Sequence, residues 1–312
     1  MTTVKALVTG GAGFIGSNIV AGLVGGGAAV TVLDNFSSGH RVNLEPIEGV
    51  SIAEGDVREA SDVRAAMRGA ELVFHLAASV GNARSVADPV QDSQVNVFGT
   101  LNVLEAAHAA GARKVVFSSS AGIFGELKRL PIREDHPAEP DSPYGVSKLA
   151  AEKHCLVYTK LFALPTVCLR YFNVYGPNQR YDAYGNVIPI FVHRVLRSEP
   201  LIVFGDGEQT RDFVHVADVV QANLRAAAST ATGAFNVGSG TAITINRLAT
   251  LVNDASGAAV PIERGPVRPF DVRDSLADVS AARGAFGYAP AVDLAAGLRE
   301  YVAWARAHLV EA

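Results

Sequence analysis

The chain has 312 residues and a formal net charge of −4, a length that suggests two domains or one domain with a substantial elaboration. Acidic and basic residues are interspersed, so no basic stripe indicates nucleic-acid binding, and no apolar run approaches the roughly 20 residues that span a bilayer. Residues 1–5 enter a strand without an apolar signal segment, which favours a cytoplasmic location. Cys155 and Cys168 have the sequence environment of buried, reduced thiols, and the histidines are too scattered to predict a metal site.

The first predicted strand, residues 4–9, runs directly into a glycine-rich turn. A strand, glycines at this spacing and a following helix are typical of a dinucleotide-binding turn. Gly11 and Gly13 would permit the turn and the close approach of a pyrophosphate, and Gly16 would permit the helix to pack on the strand. The helix that begins near Phe14 would direct its N-terminal N–H groups at the phosphates.

The second predicted strand, residues 29–33, ends on Asp34. An acid about 20 residues beyond the glycines can bind both hydroxyls of an adenosine ribose. Because its charge would repel a 2′-phosphate, Asp34 predicts NAD as the cofactor in preference to NADP. The competing interpretation is a glycine-rich turn followed by a solvated acid.

Further strands are predicted near residues 50–53, 71–75, 113–118 and 166–170, with helix-like stretches between them. This alternation is typical of a parallel sheet with helices on both faces. We therefore predict a doubly wound α/β domain of the Rossmann type over residues 1–172.

After residue 172 the regular alternation ends and shorter elements follow, including residues 189–197 and a helix-like stretch at 246–255. We predict a smaller C-terminal α/β domain over residues 173–312, with the substrate site. Residues 233–238 have the pattern of one strand that returns to the large sheet.

Tyr144 and Lys148 are four residues apart in a segment that is predicted to be helical, so their side chains share one face. A free tyrosine has a pKa of about 10 and is a poor base at neutral pH unless a positive charge stabilises the phenolate. Lys148 can supply that charge, so the pair predicts a tyrosinate base. The alternative is an ordinary surface pair on an amphipathic helix.

Short motifs continue in order along the chain, at residues 34–39, 55–57, 75–78, 96–100, 118–120, 144–148 and 170–177. In order and spacing they resemble the extended short-chain dehydrogenase/reductase family, and within it the NAD-dependent nucleotide-sugar 4-epimerases of the UDP-glucose/UDP-galactose type. The resemblance covers nearly the whole chain.

The resemblance implies a set of NAD-binding residues. Asp56 would meet the adenine, the backbone of residues 76–78 would line the ribose and phosphates, and Lys148 would hold the nicotinamide ribose. For Asn96 a helix N-cap is the competing interpretation. The complete set is Gly10, Gly13, Phe14, Ile15, Gly16, Asp34, Asn35, Ser37, Ser38, Gly39, Asp56, Val57, Leu76, Ala77, Ala78, Asn96, Ser118, Tyr144, Lys148 and Tyr171.

Ser120, Tyr144 and Lys148 are the catalytic residues that the resemblance implies. Tyr144 would take the proton of a sugar hydroxyl while NAD oxidises the same carbon, and Ser120 would bind the sugar oxygen. If the resulting ketose rotates before it is reduced, the carbon is inverted. For Ser120 alone, a serine that caps local backbone at the end of a strand is the alternative.

A UDP-sugar is the implied substrate. Its contacts would be Ser120, Asn173, Val187, Ile188, Phe204, Arg211, Arg268, Asp271 and Ser275. Arginines bind phosphates in fork geometry, although surface salt bridges could also account for Arg211 and Arg268. Ser275 is small at a position where bulky residues of relatives exclude an N-acetyl group. It therefore predicts that UDP-N-acetylglucosamine is accepted beside UDP-glucose and UDP-galactose.

Ala121 and Gly122 stand where family dehydratases carry an Asp-Glu pair and decarboxylases carry a Glu. Without an acid there, the resemblance implies epimerisation rather than elimination. Arg180 could instead pair with a uronate, which keeps UDP-glucuronate as an alternative substrate. A reductase or dehydrogenase with net redox, and a non-catalytic dinucleotide sensor, are alternatives from other functional classes.

The resemblance also implies a homodimer. Residues 95–110 and 144–161 carry apolar helix faces that could pair with their copies around a twofold axis. The same faces could instead pack inside the monomer.

Overall fold

The computed structural model describes residues 3–125, 127–181, 185–267 and 272–309. Its strands are β1 Lys5–Thr9, β2 Ala29–Asp34, β3 Ser51–Glu54, β4 Leu72–His75, β5 Lys114–Ser120, β6 Thr166–Tyr171, β7 Asn173–Tyr175, β8 Leu201–Phe204, β9 Thr210–His215, β10 Gly233–Val237, β11 Ala242–Thr244 and β12 Ile262–Gly265. Its helices are α1 Phe14–Gly25, α2 Ala60–Ala66, α3 Asn82–Ala87, α4 Pro89–Ser93, α5 Gly99–Ala109, α6 Pro143–Phe162, α7 Val187–Leu196, α8 Val216–Ala228, α9 Ile245–Ser256, α10 Ser280–Phe286 and α11 Leu294–Leu309.

Seven strands form one parallel sheet in the order β3-β2-β1-β4-β5-β6-β10. This order confirms the predicted doubly wound fold of the Rossmann type. The six strands predicted before residue 172 are all present, with ends within two residues of the prediction. The strand predicted at 233–238 is β10, which pairs with β6 at the edge of the sheet.

Helices cover both faces of this sheet. Because successive strand residues point to opposite faces, Val8 packs in the layer that holds α1 and α8, and Leu7 packs in the layer that holds α5 and α6. Cys155 and Cys168 lie in the second layer, buried and without a disulfide. Burial on both faces explains why the central strands are continuous apolar runs.

A smaller core lies after residue 172. Helices α7, α9 and α11 pack together there with β8 and β9 around residues such as Phe191, Leu248 and Tyr301. The larger core also takes residues from beyond position 172, because α8, β10 and Phe286 of α10 pack in the layer with α1. The domain boundary at residue 172 therefore stays a prediction.

Within the described residues no helix is long and apolar enough to cross a bilayer. The cytoplasmic location and the lack of a nucleic-acid partner remain predictions from composition.

Candidate active site

A cavity of about 1620 Å³ runs along the carboxyl edge of the large sheet, and residues from beyond position 172 complete its wall. The predicted catalytic residues Ser120, Tyr144 and Lys148 all line it. So do all the predicted cofactor residues except Asn96. They meet because the carboxyl ends of parallel strands share one edge of the sheet.

The glycine-rich turn after β1 is shaped by close backbone contacts. Gly10 has a φ of +69°, and a Cβ on Gly16 would lie 2.1 Å from the Gly10 carbonyl oxygen. Gly11 plays a different part from the predicted one, because a Cβ there would lie 2.7 Å from the side chain of Val32. Gly11 therefore permits packing on β2, whereas Gly10 and Gly16 make the turn.

Helix α1 begins at the cavity. Its N-cap is Gly13, which provides no side-chain cap, and its first turn contains no acidic residue. The N-terminal N–H groups and the partial positive charge of the helix are therefore directed at a place suited to an anion. Gly13 has no side chain that could occupy this place. A Cβ built on Gly13 would meet only the Gly10 carbonyl oxygen, at 3.2 Å.

Asp34 is fixed at the end of β2. One carboxylate oxygen accepts the Ala12 N–H at 2.9 Å, and the other accepts the Phe36 N–H at 2.9 Å. These bonds hold the buried carboxylate at the cavity wall. The backbone cradle of the glycine turn and this oriented acid fit an adenine dinucleotide that carries a free 2′-hydroxyl.

Asp56 lies at the predicted adenine end of the cavity. Its carboxylate accepts hydrogen bonds from the Arg58 guanidinium, at 2.7 and 3.0 Å, and from the Asn35 amide at 2.8 Å. The bond to Arg58 is the main reason why the pKa of Asp56 falls to about 2. Asp56 therefore remains a charged acceptor at any physiological pH.

Tyr144 and Ser120, two of the predicted catalytic residues, lie together at the cavity. Helix α6 begins at Pro143, after the Ser142 N-cap, so Tyr144 lies in its first turn. The phenol lies beside Ser120, whose hydroxyl oxygen accepts the Gly122 N–H at 3.1 Å. Burial raises the pKa of Tyr144 to about 12, hydrogen bonding to Ser120 opposes the rise, and the charge of Asp92 adds to it.

Lys148 is buried one turn further along α6. Its ammonium donates a hydrogen bond to the Ser118 carbonyl at 2.7 Å and lies 4.8 Å from the centre of the Phe117 ring. Burial lowers its pKa to about 8, and the charge of Asp92 opposes that fall. Burial is the largest influence on the pKa of Tyr144, and stabilisation of its phenolate by Lys148 stays a prediction.

Asn96 does not line the cavity, and it is not an N-cap. It lies within a π-helical turn, Gln94–Phe98, and is almost completely buried. Its side-chain oxygen accepts the Ser79 N–H at 2.8 Å, and its amide donates to the Ser79 carbonyl at 3.0 Å and to Asp92 at 3.1 Å. Asn96 thus fixes the cofactor-side loop after β4 instead of contacting the cavity.

Only part of the predicted substrate set lines the cavity: Ser120, Asn173, Arg211 and Ser275 do so. Ile188 is fully buried in the smaller core, and Val187 packs against the same core. Phe204 ends β8 against Gly265, where an added Cβ would lie 2.8 Å from its ring. None of these three side chains lines the cavity. Arg268 and Asp271 lie outside the described residues.

Sequence reasoning missed two buried acids behind the site. Asp92 accepts a hydrogen bond from the Ser147 hydroxyl at 2.5 Å, between Tyr144 and Lys148 on α6. Glu152 accepts the Ser119 hydroxyl at 2.6 Å and pairs with Arg170 at 2.7 Å. Both acids lie inside helical patterns, and no local motif marks them.

His75 is a buried structural group. Its ring nitrogens are 2.7 Å from the Thr9 hydroxyl and 2.9 Å from that of Thr100. Burial, with the nearby charge of Lys148, lowers its pKa to about 3, so the ring is neutral. Across the described ranges, no three His, Cys, Asp or Glu side chains are grouped so that they could hold a metal ion.

Comparison with known protein families identifies the family of this chain. The family described as "NAD dependent epimerase/dehydratase family" matches residues 6–238. The chain belongs to this family. Membership confirms the resemblance found in the sequence, and it confirms the prediction of an enzyme that uses NAD.

Individual members of the epimerase/dehydratase family match almost end to end. UDP-glucose 4-epimerase of Mycolicibacterium smegmatis is 40% identical over 97% of this chain and 98% of its own. A solved UDP-N-acetylglucosamine 4-epimerase from Methanobrevibacter ruminantium, in complex with UDP-N-acetylmuramic acid, is 36% identical with a TM-score of 0.95, covering 99% and 100% of the two chains. UDP-glucose 4-epimerase of Thermotoga maritima, solved with UDP-glucose, is 37% identical with a TM-score of 0.94, covering 98% and 100%.

Proposed function

We propose that the protein catalyses 4-epimerisation of UDP-sugars: UDP-glucose and UDP-galactose, and also UDP-N-acetylglucosamine and UDP-N-acetylgalactosamine. The observation that carries this proposal is the grouping of Ser120, Tyr144 and buried Lys148 in one cavity that is large enough for a dinucleotide and a second nucleotide. The adjacent Ala121 and Gly122 offer no acid for elimination. The activities of the relatives support the same reaction.

NAD, when bound, supplies the two-electron acceptor and later donor for the sugar carbon, and its nicotinamide ring brings a positive charge that favours a phenolate. Tyr144 takes the proton from the oxygen of the C4 hydroxyl, and it returns a proton to that oxygen after the ketose has rotated and its opposite face has been reduced. Ser120 donates a hydrogen bond to the sugar oxygen as it becomes a carbonyl. Lys148, which donates a hydrogen bond to the Ser118 carbonyl, would hold the nicotinamide ribose.

The proposal is tested by separate incubation of the purified enzyme with UDP-glucose, UDP-N-acetylglucosamine and UDP-glucuronate, with chromatographic resolution of the epimers. We expect the first two to interconvert with their 4-epimers without a net change in absorbance at the NADH maximum. Stoichiometric NADH would instead indicate a dehydrogenase. Epimerisation of UDP-glucuronate alone would replace the proposed substrate class.

Ser275 is expected to set the room beside the sugar's 2-substituent. It lines the cavity and is 8% exposed. For Ser275→Tyr we expect kcat/KM for UDP-N-acetylglucosamine to fall by about 10-fold or more, because a bulky phenol overpacks the site, while UDP-glucose turnover changes little. Ser280→Tyr, at the start of α10 and outside this cavity, is the size-matched control. Equal losses of kcat/KM for both UDP-sugars would show that Ser275 does not set the specificity.

We further propose that the protein is a homodimer. The predicted helix faces leave large apolar side chains exposed, among them Phe98, at 61%, and Leu161, at 66%. Val146 and Val157 continue the exposed face of α6. Burying these faces against a second copy would remove a large apolar surface from water.

A charge on this surface should separate the subunits. We expect Phe98→Glu to give a monomer by sedimentation velocity at micromolar concentration, because a dimer would bury two unpaired carboxylates. Ile262→Glu, on β12 and 41% exposed, is the matched control and should leave the dimer intact. A monomeric wild type would contradict the proposal.

A further inference from the structure

The loop after β7 links the smaller core to the first turn of α1. Asn18 donates a hydrogen bond to the Pro177 carbonyl at 3.0 Å, and Asn178 donates to the Ser17 hydroxyl at 3.0 Å. On the other side, the Tyr301 hydroxyl of α11 donates to the Gln179 carbonyl at 2.6 Å. The backbone on the N-terminal side of Arg180 is therefore fixed from both directions.

Arg180 extends from this fixed loop into the cavity wall that also contains His40, Gly13 and Phe14. Its Nε atom is buried and has no hydrogen-bond partner among the described residues. The pKa of His40 is lowered, first by burial and then by the positive charge of Arg180, although the charge of Asp34 opposes this. The guanidinium is therefore close enough to His40 to act on its charge.

Two positive features consequently face the same space. The N-terminus of α1 carries a partial charge of roughly +0.5, and no acid in its first turn offsets this charge. Asp34, an acid on this wall, already accepts the N–H groups of Ala12 and Phe36. A buried guanidinium nitrogen without a partner is costly unless it meets an acceptor. An anion between Arg180 and α1 would accept a hydrogen bond from the guanidinium and would also meet the partial positive charge of the helix N-terminus.

We propose that Arg180 binds the pyrophosphate of NAD from the side opposite the N-terminus of α1. The loop that precedes Arg180 is fixed to Tyr301 of the smaller core. Retention of the cofactor would therefore depend on this loop as well as on the glycine turn. This role differs from the uronate contact that the sequence alone left open. It also goes beyond epimerisation, since it holds for any reaction of the bound cofactor.

The test measures binding rather than turnover. Arg180→Gln and wild type, both stripped of nucleotide, are titrated with NAD, with ADP-ribose and with adenosine; NAD-loaded samples are titrated with UDP. We expect the Kd for NAD and ADP-ribose to rise about 10- to 100-fold, as for the loss of a charge-assisted hydrogen bond. Adenosine, which has no pyrophosphate, and UDP should bind both proteins within about twofold.

Two variants sharpen the result. Arg180→Lys keeps a point charge without the fork and should recover part of the affinity. Arg197→Gln removes an exposed arginine that pairs with Glu199 at 3.0 Å, and it should change none of the four affinities. Unchanged binding of ADP-ribose to Arg180→Gln overturns the proposal. Weaker UDP binding with normal ADP-ribose binding would assign Arg180 to the substrate diphosphate.

Discussion

Replacement of Tyr144 by Phe is expected to lower kcat for epimerisation by about 10²- to 10⁴-fold, the usual contribution of a positioned acid–base group. The phenol lies beside Ser120 at the cavity, and phenylalanine preserves the ring while removing the proton carrier. Because the change leaves Lys148 and its bond to Ser118 in place, NAD content should stay unchanged. The measurement is steady-state turnover of UDP-galactose together with NAD released by acid.

Tyr158→Phe is the matched control for this prediction. Tyr158 lies on the same helix, and its hydroxyl donates to Glu105 rather than to a cavity group. The control enzyme should keep wild-type turnover. If Tyr144→Phe also kept full activity, another group would have to carry the proton, and the proposed mechanism would be wrong.

The sequence predicted those parts of the site that depend on local backbone and on strand order. Gly10, Gly16 and Asp34 could be placed because a turn between a strand and a helix has few steric solutions. Ser120 and Tyr144 followed from the order of motifs that the family shares. All of them lie at strand ends or in a first helical turn, where the chain position nearly fixes the location in space.

What the sequence could not predict depends on packing between distant segments. Asn96 fits a cofactor motif, yet its side chain makes hydrogen bonds to Ser79 and Asp92. Ile188 belongs to the substrate set that the resemblance implied, but its side chain fills the smaller core. The raised pKa of Tyr144 arises from burial, which four-residue spacing to Lys148 does not reveal.

Loss of the Glu152 carboxylate is expected to have the largest effect on stability. Glu152 is fully buried, and both of its oxygens accept hydrogen bonds from Arg170, at 2.7 and 3.0 Å, while Ser119 adds a third bond. Glu152→Ala would leave a buried guanidinium unpaired, so the free energy of unfolding should fall by about 3–5 kcal/mol. Denaturant unfolding followed by circular dichroism measures this change.

Two further variants separate the unpaired charge from the loss of packing. Glu199→Ala breaks an exposed pair with Arg197 and should cost less than about 1 kcal/mol. In the double variant Glu152→Leu/Arg170→Met both charges are gone, so most of the lost stability should return, since a well-packed apolar pair can replace a buried ion pair. If the double variant were as unstable as Glu152→Ala, the ion pair itself would be the stabilising element. Ser119 directly precedes Ser120, so recovered stability with impaired turnover would show that the pair also positions the end of β5.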